Sequence, residues 1–107
     1  MFYIQNFNAD EAILDDSYTS EYGTMSLYFA VPKEWLGDQW LESSGATISI
    51  EYPKERPEAR YASAMISPTN NAGDAHSDYD WVDLDLPHEN VEQLMAEYKE
   101  VKSIKMR

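Results

Sequence analysis

The chain has 107 residues, no cysteine, and 20 acidic against 8 basic side chains, for a formal net charge of −12. That length suits one domain over 1–107. The missing thiols exclude disulfides and thiolate metal sites, and the charge disfavours direct contact with nucleic acid or anionic lipid. A hydrophobic content of 43% with 13% aromatics separates it from disordered acidic chains. No run approaches the roughly 18 apolar residues of a membrane span. The opening MFYIQNFNADEAILDD lacks the basic segment and apolar core of a signal peptide, so the expected location is cytoplasmic.

Along the chain, Phe2 to Phe7 is apolar and aromatic enough for a first short strand. The segment NADEAILDD, with Asn8 as a helix cap, fits helix or strand, and residues 17–23 read as a turn or loop. Residues 24–31, TMSLYFAV, alternate: Met25, Leu27, Phe29 and Val31 share one face and Thr24, Ser26, Tyr28 and Ala30 the other, the pattern of a half-buried strand. Pro32 closes it and suits the first turn of a helix. In KEWLGDQWLESS, Trp35, Leu36, Trp40 and Leu41 recur at helical spacing, predicting a short helix that ends near Ser44 and Gly45. Trp35 and Trp40 are expected to pack it onto the sheet.

ATISIEY is the next strand, with Ala46, Ile48, Ile50 and Tyr52 on one face. PKERPEA, with its two prolines, is a hairpin loop, and a further strand is expected within Arg60–Ile66. Residues 67–77 form a turn-rich loop. DWVDLDLP alternates again, sending Val82, Leu84 and Leu86 to the core and Trp81, Asp83 and Asp85 outward. The last helix, from about His88 to Ser103, carries Val91, Leu94, Met95, Tyr98 and Val101 as an apolar stripe. Glu89 and Glu92 start it, and Lys99, Lys102 and Lys105 finish it, complementing the helix dipole. The expected fold is α+β: an antiparallel sheet of four to five strands packed by a C-terminal amphipathic helix and one short helix.

Charge is unevenly placed. Between Tyr61 and Tyr98 there is no lysine or arginine, while Asp74, Asp78, Asp80, Asp83, Asp85, Glu89, Glu92 and Glu97 all fall there. Spread evenly, the net charge only keeps the protein soluble. Gathered on one face at about one per 100 Å², it makes a surface for a cationic partner.

Enzymatic and metal chemistry find little support. Read as a Ca²⁺ loop, Asp74, His76, Asp78 and Asp80 take the first ligand positions. Tyr79 then stands where glycine must make the turn, and Asp85 where a bidentate glutamate belongs. His76 and His88 lie in no zinc-binding pattern, and neither a nucleophile elbow nor a phosphate-binding glycine loop is present. Asp83 and Asp85 on one strand face would stand about 6.6 Å apart. That separation is near the lower end of what inverting glycosidases use, but exposed neighbouring acids are common. No catalytic residue, metal ligand or cofactor is assigned.

The expected site is a partner-binding patch of Asp78, Asp80, Trp81, Asp83 and Asp85, a large aromatic among acids. The expected function is that of a small, acidic, non-enzymatic interaction protein that covers a basic surface. By charge and size alone it is analogous to anti-restriction and anti-CRISPR inhibitors and to immunity proteins, which act on nucleic-acid-binding proteins. The alternatives are an accessory domain whose acidity serves only solubility, and a cation-binding protein or enzyme using the acids of 74–89.

Overall fold

The computed structural model describes residues 2–39, 43–69 and 81–105, with the side chains of Thr69 and of 99–105 outside that description. The strands are β1 (Phe2–Tyr3), β2 (Ile13–Thr19), β3 (Thr24–Pro32), β4 (Gly45–Pro53), β5 (Ser63–Thr69) and β6 (Val82–Asp85), followed by helix α1 (His88–Lys105). Short 3-10 helices occupy Ala9–Glu11, Lys33–Leu36 and Ala59–Tyr61. The strands form one six-stranded sheet in the order β1-β6-β5-β4-β3-β2.

The fold is α+β, but the sheet is mixed and has six strands rather than an antiparallel four or five. Neighbours from β2 to β6 are antiparallel, whereas β1 runs parallel to β6, with Phe2 opposite Leu84 and Tyr3 opposite Asp85. Burial explains the extra edge strand. Phe2 is only 5% exposed, and beside Leu84 it extends the apolar layer past β6.

The core follows from alternation. Met25, Leu27, Phe29 and Val31 of β3 and Ala46, Ile48, Ile50 and Tyr52 of β4 are all buried on one face. Ile66 of β5 pairs with Ile48 and joins them. On that face α1 contributes Val91, Leu94 and Met95, with Tyr98 partly buried against the same cluster. Leu84 and Leu86 are buried as their spacing predicts. Val82 is not: opposite Ile66 in the register, at the start of β6, it is 38% exposed.

Three local readings change. The expected helix after Pro32 is only the 3-10 turn Lys33–Leu36, because Gly37 takes φ +59° and breaks it. Trp35 and Leu36 are fully buried nonetheless. Phe7 lies against Trp35 with ring centroids 4.9 Å apart, and the indole N–H donates to Glu11 Oε1 at 3.4 Å. Gly45 opens β4 instead of ending a helix, and Trp40 and Leu41 lie outside the described residues.

The second change is in residues 8–23. Asn8 caps a 3-10 turn, accepting from the Asp10 N–H at 3.1 Å, and Ile13–Thr19 is a strand, so residues 17–19 are not loop. A bulge between Leu14 and Asp16 breaks the period of two. The third change is a shift of β5, which begins at Ser63 after a 3-10 turn and takes in residues 67–69; the rest of the expected loop, 70–77, lies outside the described residues.

Two outcomes follow from this packing. Leu94 is fully buried, so Leu94→Ala should cost about 2–5 kcal/mol by urea denaturation. Burial, and then the neighbouring Tyr98, raise the Tyr52 hydroxyl above the ordinary tyrosine value of 10.0. A raised folded pKa means that the contribution from neutral Tyr52 is complete below the unfolded value and is lost as pH rises through the folded one. Urea midpoints across the alkaline range should fall for the wild type and fall less for Tyr52→Phe.

Candidate functional site: the open face of the sheet

The alternation that buries one face of the sheet fixes what the other presents. The helical residues that join the core do so on the buried face. The opposite face bears no helix among the described residues. The strand register arranges it in three rows.

The middle row runs Asp16, Tyr28, Ser49, Met65, Asp83 across five strands, with a carboxylate at each end. The next runs Tyr18, Ser26, Glu51, Ser63, and the same register places Asp85 beside Ser63 and Tyr3 beyond it. The third runs Ile13, Ala30, Thr47, Ser67, and places Trp81 beside Ser67. Because of the bulge in β2, Ile13 and Tyr18 share this face despite their odd spacing. They are 66% and 60% exposed, and Tyr3 is 57% exposed.

Every charge in these rows is negative: Asp16, Glu51, Asp83 and Asp85. No strand contains a lysine or arginine. At about 4.8 Å between strands and about 6.8 Å between rows, the face covers roughly 500 Å², or about one carboxylate per 120 Å². Of the acidic run between Tyr61 and Tyr98, Asp83 and Asp85 reach this face, whereas Glu89, Glu92 and Glu97 lie on α1.

The bases of the described residues belong to other elements. Lys33 opens a 3-10 turn and Lys54 follows β4. Arg56 and Arg60 lie over the Tyr61 ring at 5.2 and 4.9 Å, and Arg60 Nε pairs with Glu58 at 2.9 Å. Lys99, Lys102 and Lys105 are on α1.

Trp81 is half-buried and belongs to the open face, not to the end of the core. Its indole reaches across β5 and β4 toward Tyr28, with ring centroids 6.4 Å apart and planes at 58°. Tyr28, Ser49, Glu51, Met65 and Trp81 line a groove of about 300 Å³. Glu51 forms one wall, and its Oε1 accepts from Ser26 Oγ at 3.2 Å. Ser67, on the same side as Trp81 and beside it in the register, is fully buried, and its Oγ has no hydrogen-bond partner among the described residues.

A larger groove of about 510 Å³ lies on the helical side, between Pro57–Arg60 and His88, Glu92, Met95 and Ala96. It holds both signs of charge and an internal Arg60–Glu58 pair, so it lacks a one-sided field.

Of the residues proposed from sequence, Trp81, Asp83 and Asp85 fall together on the open face. Both aspartates are exposed, and their carboxylates have no hydrogen-bond or ion-pair partner among the described residues. Asp78 and Asp80 lie outside the described residues, as do Asp74 and His76 of the candidate Ca²⁺ loop. Among the described residues no group of three or more acids or histidines is placed to hold a metal ion. The sequence reading missed Tyr3, Asp16, Tyr18, Tyr28, Glu51 and Met65 as members of the patch. The alternation of β3 and β4 already turned Tyr28 and Glu51 outward. It did not reveal that these strands lie beside β5 and β6.

No family model, curated protein or solved structure matches this chain.

The face makes its own stability test. An unpartnered buried hydroxyl costs about 1–3 kcal/mol, so Ser67→Ala should leave stability unchanged or raise it by about 1 kcal/mol. Reversal of Asp83 and Asp85 to lysine should shift it by no more than about 0.5 kcal/mol per site. Urea denaturation measures both.

Proposed function

We propose that this protein is a non-enzymatic binding protein whose open sheet face covers a basic surface on another protein, of the kind that nucleic-acid-binding proteins present to phosphates. The observation that carries the reading is the coincidence on one face of four carboxylates and the aromatic side chains of Tyr3, Tyr18, Tyr28 and Trp81, with no base and no helix on it among the described residues. Carboxylates steer a cationic partner, and aromatic anchors supply the area that holds it. The field also repels a second copy of the same face.

The sheet edges favour face-on contact over strand addition. β1 is two residues long. The opposite edge, β2, carries the bulge and two aspartates, and Asp16 Oδ1 accepts from the Ser17 N–H at 2.8 Å. Short length, bulges and charge are the features that block edge pairing.

The test is capture of partners from lysate at low and moderate salt, followed by kinetics with the recovered partner. Asp83→Lys with Asp85→Lys should slow association about 10- to 100-fold at low salt, an effect that fades as salt screens the field. Trp81→Ala should shorten complex lifetime about 30-fold, equivalent to about 2 kcal/mol. If the double reversal leaves binding unchanged at every salt concentration, the acidity serves solubility and the proposal fails.

A further inference from the structure

The groove over β3, β4 and β5 has a more specific chemistry than a general acidic surface. Tyr28 and Trp81 form two walls inclined at 58°, with ring centroids 6.4 Å apart. Met65 and Ser49 lie between them, and Glu51 closes one side. The hydrogen bond from Ser26, itself only 4% exposed, occupies one Glu51 oxygen and orients the carboxylate. No base among the described residues pairs with that carboxylate, and none stands over the Tyr28 or Trp81 ring. The protein's own Arg56 and Arg60, by contrast, already lie over Tyr61. Aromatic faces carry negative quadrupole density, and a cation within about 6 Å of a ring centroid is attracted to them.

We infer that this groove receives the guanidinium of an arginine side chain from the partner. The inference rests on the reading of the open face as a binding surface and names the group recognised at its centre. Three properties select arginine. A guanidinium is planar and stacks against an aromatic wall. It is more weakly hydrated than an ammonium, so entering a half-buried groove costs it less. It also presents N–H donors in its plane, which can reach the Glu51 carboxylate while one flat face lies on the Trp81 ring. A lysine ammonium offers point charge without the flat face. A quaternary ammonium offers charge without a donor for Glu51. Asp83, opposite Met65 in the register, adds negative charge at the rim.

The probe is a short fluorescein-labelled arginine-rich peptide, compared with the same peptide carrying lysine, and then citrulline, at every arginine position. Anisotropy titrations at low salt should show the arginine peptide binding about fivefold more tightly than the lysine peptide, and the citrulline peptide should not bind. In Trp81→Leu and in Glu51→Gln, each checked for folding by circular dichroism, the arginine-to-lysine preference should fall to about one. Both peptides should still bind those variants through the remaining carboxylates. Equal affinity of the two peptides for the wild type would overturn the arginine groove while leaving the acidic face standing. A preference that persists in both variants would place arginine recognition elsewhere and overturn the inference too. Failure of either cationic peptide to bind at low salt would overturn both the groove and the acidic face.

Discussion

The period-two alternation of β3 and β4 is the constraint from which the rest of the molecule follows. Leu27, Phe29, Ile48 and Ile50 are completely buried, and they lie side by side at the centre of the sheet. Helix α1 and the 3-10 turns must pack there to exclude water from them. A one-residue slip in either strand would expose that set and bury Tyr28, Ser49 and Glu51 instead. Register is therefore fixed by the core, and the core in turn determines which side chains remain outside. The acidic face is a by-product of the same register that holds the domain together.

Segregation of charge costs the fold little. Asp16 and Asp83 end one row four strands apart, about 19 Å, or nearly two Debye lengths at about 0.1 M salt. Asp83 and Asp85, about 6.6 Å apart on β6, are the close pair, and as exposed charges in high dielectric they repel only weakly. An incoming cation at the centre of the face meets the field of all four carboxylates together. Arg60 adds little to oppose that field, because Glu58 pairs with it at 2.9 Å.

Where alternation was regular, the sequence was legible. β3 and β4 and their buried faces, Leu84 and Leu86, and the apolar stripe of α1 from Val91 to Tyr98 could all be read from spacing. Where backbone geometry interrupted the period, it could not. The bulge in β2 added a residue and hid a seven-residue strand. Gly37, in a conformation other residues avoid, reduced an apparent helix to one 3-10 turn. β1 contains only two residues, too few to show any period, and its pairing with β6 brings together residues far apart in sequence, Phe2 and Leu84. The site was half legible for the same reason. Trp81, Asp83 and Asp85 lie on one short alternating segment and were visible together. Tyr28, Glu51 and Met65 reach Trp81 only through strand order, which no local pattern encodes.

Carboxylate footprinting tests the central claim most directly, because it reports on each acid separately. The protein, free and bound to its captured basic partner, is labelled with a carbodiimide and an amine, then digested and measured by mass spectrometry. Binding should protect Asp16, Glu51, Asp83 and Asp85 on the open face and leave Glu89 and Glu92 on α1 labelled as in the free protein. Protection of Glu89 and Glu92, with the four face carboxylates still fully labelled in the complex, would contradict that claim.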